Sequence, residues 1–351
     1  MEIYILNNTY DRIGVVENFE SFIWTERFTS YGDFEMTVPP SPIADIATIG
    51  RYVSQSNTFS IMRIESREIR DDEQGRTMVY LKGRCMKSIL DDRVVHPSGS
   101  NTDRWVRSGT MGQVVKALVD QVCLHGTGFS EKDIIPGLYT ADITTDTEHV
   151  RVSVGLESLY EAVKKLCESA DLGFDIQLNN THPRLRFVVY NGVNRPNTIF
   201  GPILDNLSNQ TSLRDETNYK NIAYVRSKDG VTTREVAAKG HSILREGFAR
   251  RTILVEANDV VDADLTYQEI AETLTQKGRE ALLEHKRVRL YDGEVVIDSN
   301  FRYGAAYRLG DTVQLMDVDH NKYTTTVIEY IWAHDAEGYR GYPTFSDVSV
   351  D

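Results

Sequence analysis

The sequence predicts an α+β protein, mostly β, with two β-barrel domains, an α/β domain inserted between them and one further helix. Three observations carry this expectation. The first is the stretch Phe22 to Pro40, FIWTERFTSYGDFEMTVPP, in which Phe22 and Trp24, then Phe34, Met36 and Val38, stand at alternate positions. Alternation of this kind buries one face of a strand and leaves the other wet, so the stretch reads as an antiparallel hairpin turning at Tyr31-Gly32-Asp33. The second is a set of three segments with helical spacing behind capping residues. The third is an internal echo. Ile49-Gly50-Arg51-Tyr52-Val53 followed by Ile64-Glu65 is matched by Leu309-Gly310-Asp311-Thr312-Val313 followed by Ile328-Glu329. Chance also produces such pairs; as a true repeat, the echo implies two related barrels.

Taken in order, residues 1–95 read as the first barrel. Ile3 and Ile5 begin a strand, Asn7-Asn8 marks a turn, and Ile13 to Val16 begins the next strand. After the Phe22–Val38 hairpin come a proline-flanked loop and the apolar-containing segment Ile43 to Ile49. Arg51 to Val53, Phe59 to Ile69 and Met78 to Leu81 read as strands, with Asp71 to Gly75 as a polar loop. Lys82 to Leu90 reads as a short helical element closing the barrel.

Residues 96–206 read as the inserted α+β domain. His96 to Gly109 is polar and rich in turn residues, which predicts a linker. Thr110 with Gln113 forms a capping box ahead of Val114, Val115, Leu118 and Val122, and Gly126 and Gly128 end that helix. Ser158 with Glu161 opens a second helix with a stripe of Leu159, Ala162, Val163, Leu166 and Ala170, and Gly173 stands where a helix-ending glycine belongs. Phe174, Ile176 and Leu178 then alternate with polar residues, Asn179-Asn180 turns, and Leu185 to Tyr190 returns.

Residues 207–351 read as the second barrel, including a helix over 266–285. Asn221 to Arg226 and Val231 to Ala237 flank the hairpin signal Lys228-Asp229-Gly230, and Arg251 to Ala257 continues the sheet. Thr266 and Glu269 form the third capping box, with Leu265 and Ile270 at hydrophobic-staple positions. Gly278 inside this helix costs about 1 kcal/mol relative to Ala, which predicts close packing there. The last strands are Val288 to Tyr291, Glu294 to Asp298, Thr312 to Met316 and Tyr323 to Trp332.

At 351 residues the chain has length for two or three cores. The formal charge of −13 repels a phosphate backbone, which disfavours specific nucleic-acid binding and leaves an acidic conduit wall as the functional alternative to plain solubility. The N-terminus has no signal-type apolar core, and no apolar run is long enough to cross a bilayer. The three cysteines, Cys85, Cys123 and Cys167, form no C-x-x-C pair and read as buried, inert thiols.

Signatures of catalysis and metal binding are sparse. There is no phosphate-binding G-x-x-x-x-G-K-[ST], no H-E-x-x-H and no G-x-S-x-G. Asp317 to Lys322 has the carboxylate spacing of a calcium loop, but Lys322 stands where glycine is required and Ile328 where the bidentate glutamate belongs. A polar hairpin turn is expected there. The eight histidines are scattered, and Cys123 and His125, two apart, point to different faces of a helix. Asp71-Asp72-Glu73 and Asp91-Asp92 read as solvated loop acids, with Arg93 placed for a local pairing. Tyr339 to Tyr342 with Pro343 reads as an exposed aromatic patch or as strand-end packing. No catalytic, cofactor-binding or metal-binding residue is assigned.

The residues Ile3-Tyr4, Trp24-Thr25-Glu26-Arg27, Gly32-Asp33-Phe34-Glu35, Val38-Pro39, Gly83-Arg84 with Ile89-Leu90 and Arg93, and Leu309-Gly310-Asp311, taken in this order, resemble the tail-tip (baseplate) hub and minor tail proteins of siphophages. The resemblance covers nearly the whole chain. It implies a non-enzymatic homotrimer at the distal end of a phage tail, with two tail-tube-like barrels per subunit. Three such subunits make a pseudo-sixfold ring that matches a sixfold ring of distal tail protein. The partners it implies are the chain itself, the distal tail protein, the tape measure protein, tip or receptor-binding proteins, and genomic DNA passing without specific binding. No cofactor and no membrane insertion are implied. The place is the virion, after synthesis in the host cytoplasm, and the chain's end at Asp351 leaves no cell-wall-degrading or receptor-binding extension. A carbohydrate- or receptor-binding module of a virion or cell surface is the alternative, suggested by the Tyr339–Tyr342 patch.

Overall fold

The computed structural model describes residues 1–97, 104–125, 131–141, 143, 149–179, 185–261, 265–295, 301–316, 320, 322–336 and 338–349. Strand β1 (Ile3–Leu6) is buried along its whole length and turns at Asn7, whose side-chain oxygen accepts from the backbone N–H groups of Thr9 and Asp11, both at 2.9 Å. It returns as β2 (Arg12–Val16). The aromatic stretch forms β3 (Ser21–Arg27) and β4 (Asp33–Val38), paired with Trp24 opposite Phe34. Phe22, Trp24, Phe34, Met36 and Val38 are buried, whereas Ile23 and Glu35 face out, as alternation demands. A one-turn helix α1 (Pro42–Ile46), capped by Ser41, leads to β5 (Tyr52–Gln55), β6 (Ile61–Asp71) and β7 (Thr77–Cys85). The helical element expected from Lys82 begins only at Met86, as a 3-10 turn over Met86–Leu90. Lys82 to Cys85 remain in β7 because the ladder to β6 continues to the pair Met62–Cys85.

The middle of the chain packs two helices against short strands. The end of the expected 96–109 linker is strand β8 (Trp105–Thr110), a departure whose cause is Trp105, buried under α2 (Met111–Val119). The capping box of Thr110 and Gln113 is present, and a π turn over Asp120–Leu124 extends the helix. Then come β9 (Leu138–Thr140), β10 (His149–Val154), α3 (Leu159–Ser169), β11 (Leu172–Leu178) and β12 (Leu185–Asn191). Strands β8 and β10 pair with each other, while β12 joins β11 antiparallel and β9 parallel. Gly173 does not end α3. Asp171 takes the positive φ of 51°, and Gly173 lies in β11, where a Cβ would stand 2.2 Å from the Phe28 ring. Gly126, Gly128 and Asn180 lie outside the described residues.

The last part contains β13 (Asn194–Phe200), β14 (Leu207–Asp215), β15 (Ile222–Ser227), β16 (Thr233–Ala237), β17 (Thr252–Ala257), α4 (Tyr267–Glu284), β18 (Val288–Val295), β19 (Thr312–Met316), β20 (Lys322–Asp335) and β21 (Gly338–Ser349). Strands β15, β16 and β17 form their own small sheet, β15 pairing antiparallel with β16 and parallel with β17. Helix α4 covers it through Ile270, Leu274 and Leu282 against Ala223, Val225 and Val236. The expected close packing at Gly278 is present: a Cβ there would lie 2.8 Å from Val236 and 2.9 Å from Val225. The two strands expected over 288–298 are one continuous strand through Val295; residues 296–298 lie outside the described ones.

One large sheet collects the rest, in the order β14-β18-β21-β20-β3-β4-β7-β6-β5-β1-β2, with β19 attached to β20 and β13 to β19. The α+β, mostly β, class is thus observed. Among the described residues the sheets do not close into barrels, and this corrects the expected pair of separate barrels. The cause is that β3 hydrogen-bonds to β20 and splices the two halves edge to edge.

Within that sheet one strand plan occurs twice. The neighbours β5-β6-β7-β4-β3 of the first half are matched in order and antiparallel sense by β19-β20-β21-β18-β14 of the second. The turns ahead of β5 and β19 agree in detail. Gly50 and Gly310 have φ of 85° and 84°. The Gly50 N–H donates to the Ile64 carbonyl at 2.9 Å and the Ile64 N–H to the Arg51 carbonyl at 2.8 Å. The Gly310 N–H donates to Val327 at 2.8 Å and the Val327 N–H to Asp311 at 3.0 Å. A bulge follows at the same place, after Ile64 in β6 and after Val327 in β20. Ile64 therefore corresponds to Val327, one residue from the alignment that the sequence echo suggests.

Candidate functional site: the seam between the two halves

The two halves are joined by the splice of β3 onto β20, which runs from the pair Arg27–Glu329 to the pair Phe22–His334. Its buried side is aromatic. Trp24 and Trp332 stand opposite each other, both at most 2 % exposed. Tyr330 and Tyr303 stack with ring centroids 4.0 Å apart, and Tyr303 meets Trp332 edge-on at 5.1 Å. Large rings supply the greatest apolar area per residue, so the seam is held as a core and not as a surface contact.

At the open end of the seam Arg27 of the first half reaches Glu329 of the second at 2.5 Å and also engages Asp33. Both carboxylates hold the guanidinium charged. The group is about one-third exposed, so the pairs fix register more than they add stability. The following residue, Phe28, is the wedge. Its backbone N–H donates to the Ile328 carbonyl at 2.8 Å. Its ring fills the space left by two absent side chains, Gly173 of β11 and Gly310 before β19, and meets Tyr190 edge-on at 5.6 Å. First half, second half and inserted α/β part therefore touch at one ring. Lys87, only 3 % exposed, clamps this corner: its Nζ donates to the carbonyls of Arg27 at 2.5 Å, Ser30 at 3.1 Å and Phe28 at 3.4 Å.

One carboxyl is buried beneath the seam. Glu26 accepts from Thr58 Oγ1 at 2.5 Å and Trp24 Nε1 at 3.1 Å, and burial holds its carboxyl above the usual range. On the second half Asp311 accepts from the backbone N–H of Val193 at 2.7 Å and of Arg308 at 3.1 Å, and from Arg195 Nε at 3.1 Å. Both acids serve as hydrogen-bond hubs for the backbone and side chains around them.

The residues weighed for chemistry are dispersed. Burial pushes the Cys85 thiol up to about 11 and the Cys123 thiol to about 12, and raises that of Cys167 as well, so at neutral pH all three are protonated and poorly nucleophilic. His125 is exposed while Cys123 is buried. Asp72 closes the β6–β7 turn, accepting from the backbone N–H groups of Arg76 at 2.8 Å and Gln74 at 2.9 Å, and these bonds lower its pKa. Asp91 accepts from Ser158 Oγ at 2.8 Å, and Arg93 donates to the Asp92 and Asp133 carbonyls. Asp317 to Asp319 and Asn321 lie outside the described residues. Tyr339 to Pro343 are not an exposed patch: they form the start of β21 and are buried or half-buried against β20. Among the described residues no cluster of three or more His, Cys, Asp or Glu is arranged to hold a metal ion. A depression of about 330 Å³ beside α4, lined by His149, Arg234, Gln268, Glu272 and Arg279, lies apart from the seam. Among the described residues no helix is long and apolar enough to cross a membrane.

Sequence reasoning missed the seam because its partners are about 300 residues apart and each strand alone reads as an ordinary half-buried one. The signal that could have found it was the crowding of aromatic residues on both Phe22–Phe34 and Tyr323–Trp332.

Comparison with known proteins gives a consistent picture. The family described as Siphovirus ReqiPepy6 Gp37-like protein matches residues 2–345. Among solved structures, the chain is similar to a prophage MuSo2 43 kDa tail protein from Shewanella oneidensis, with a TM-score of 0.61, 11% identity and 98% of each chain covered. It is similar to a tail protein from Neisseria meningitidis MC58, with a TM-score of 0.59, 12% identity, and 99% of this chain and 96% of that one covered. It is also similar to the prophage tail protein gp18 from Listeria monocytogenes EGD-e, with a TM-score of 0.58, 12% identity, and 100% and 96% covered. Comparison with curated proteins returns no match.

Proposed function

The chain belongs to the Siphovirus ReqiPepy6 Gp37-like protein family and has the fold of phage tail proteins, and from that premise we propose that it is a structural, non-catalytic hub at the tail tip. The observation that supports this reading is the doubled strand plan with its matched glycine turns and bulges. A chain that presents one unit twice gives six similar units from three copies. It therefore adapts a sixfold tube to a threefold tip.

In this reading the homotrimer seats on the ring of distal tail protein, receives the tape measure protein from above and carries tip or receptor-binding proteins below. Genomic DNA passes along the axis without specific binding. The solvated side of the first half supports a low-friction wall, because several of its charges occur as pairs: Lys82 with Glu35 at 2.7 Å, Arg84 with Glu65 at 2.8 Å, and Arg27 with Asp33 and Glu329. Paired charges give a phosphate backbone no continuous cationic track to bind. The test is the copy number around the tail axis in images of the assembled particle, together with the mass of the purified full chain in solution. Three copies and a trimeric mass are expected; one, two or six copies around the axis would overturn the reading.

A further inference from the structure

The chain carries its own template for an interface between copies. In the doubled plan β20 corresponds to β6 and β3 to β14, and in the second half the outer stretch of β20 is paired with β3. The corresponding outer stretch of β6, Ser66 to Asp71, has a strand on one side only among the described residues, and so does β14 from Thr211 to Asp215. β14 thus ends the large sheet on one side, and the outer half of β6, reaching past the short β5, is an open flank of it; the sheet's own centre shows the two to be complementary. We propose that β14 of one copy pairs antiparallel with the outer half of β6 of the next copy, repeating the β3–β20 splice between molecules. This inference deepens the hub reading and rests on it.

The register follows from the ladders. Through β21 and β7, Glu329 corresponds to Ser66, Ile331 to Glu68, Trp332 to Ile69 and Ala333 to Arg70. Through β18 and β4, Trp24 corresponds to Ser212, Thr25 to Leu213 and Arg27 to Asp215. The internal pairs Arg27–Glu329, Thr25–Ile331 and Trp24–Trp332 then become Asp215–Ser66, Leu213–Glu68 and Ser212–Ile69 between copies.

Exposure supports the assignment independently. Ile69 is 55 % exposed at the position where the second half buries Trp332 to 2 %, and Leu213 is 49 % exposed where the first half buries Thr25 to 3 %. Both apolar side chains are wet in the single chain at positions whose template counterparts are covered. In this register Arg67 stands opposite position 214, and its guanidinium is drawn aside to the Ala44 carbonyl at 3.4 Å. Unpaired edges of this kind otherwise invite uncontrolled strand addition. The contact is head-to-tail, so it uses both of these edges in every copy and closes into a ring.

The test is oxidation of the full-length chain carrying Glu68→Cys and Leu213→Cys, the three native thiols being buried. Directly opposite residues of an antiparallel pair lie within reach of a disulfide. A covalent ladder ending at trimer on a non-reducing gel is expected. The pair Ile69→Cys with Leu213→Cys, one residue out of register and on opposite faces, is expected to lose the ladder. A trimeric mass with no ladder from Glu68→Cys/Leu213→Cys overturns the strand pairing and leaves the hub standing. Equal ladders from both pairs overturn the register. A chain that is monomeric by mass and gives no ladder overturns both.

Discussion

Gly50 and Gly310 provide an internally controlled measurement of what the wedge residue Phe28 contributes. The two have the same backbone conformation, φ of 85° and 84°, and the same hydrogen-bonded turn. They differ in surroundings: a Cβ on Gly50 meets nothing within 4 Å, whereas a Cβ on Gly310 would stand 2.3 Å from Phe28 Cε2. Gly50→Ala should therefore cost only the left-handed backbone penalty, about 1–2 kcal/mol. Gly310→Ala should cost that plus displacement of the ring, a further ~1–3 kcal/mol of overpacking. Urea denaturation followed by tryptophan fluorescence reads both, since Trp24 and Trp332 lie in the seam. Phe28→Ala removes the clash partner at its own cost of about 3–5 kcal/mol. In that background the Gly310→Ala penalty should fall to the Gly50→Ala value. Equal costs for the two glycine substitutions in the native background, or a gap that survives Phe28→Ala, would refute the wedge.

Three further outcomes follow from the packing and the buried charges. Gly278→Ala should destabilise the chain despite the ~1 kcal/mol gain in helix propensity, because Val236 Cβ lies 2.8 Å and Val225 Cγ2 2.9 Å from the new methyl; reduced hydrogen-exchange protection of α4 is the readout, and unchanged or higher protection would contradict the close packing. Glu26 has its pKa raised chiefly by burial, so its neutral form suits the fold: the favourable contribution is full below the unfolded value and lost as pH rises through the folded one. Glu26→Gln should accordingly match the native chain near pH 4 and become the more stable of the two toward pH 8 in urea midpoints; a variant less stable at pH 8 would contradict this. Lys87→Met should strand the carbonyls of Arg27, Ser30 and Phe28 and cost about 1–3 kcal/mol. The loss should appear first as faster exchange of the Phe28 amide, and unchanged exchange would argue that the clamp is idle.

Local signals in the sequence were read well where a side chain answers to its own backbone neighbours. The alternation of Phe22, Trp24, Phe34, Met36 and Val38 sets the β3–β4 hairpin, and the caps at Thr110, Ser158 and Thr266 open helices where they stand. Gly278 betrayed close packing because a glycine in a helix interior is costly without it. Features set by distant partners were not legible. Trp105 looked like part of a polar linker because the helix that buries it lies beyond Thr110, and Gly173 looked like a helix end because Phe28, the reason for its missing side chain, is far away in sequence. The splice of β3 and β20 left only a crowding of aromatic residues on each strand, which names no partner, and so hid the difference between two closed barrels and the open sheet of the described residues.

The unit made of β15, β16, β17 and α4 leaves the large sheet after Asp215 and returns at Val288, and those two residues are directly paired across the β14–β18 ladder. In the first half the matching connection, between Arg27 and Asp33, is a tight turn pinned by Lys87 and Phe28. The second half therefore has a docking bay whose two gateposts stand side by side. A foreign module with adjacent termini meets the same strand span there, which makes this loop a natural insertion point in the fold.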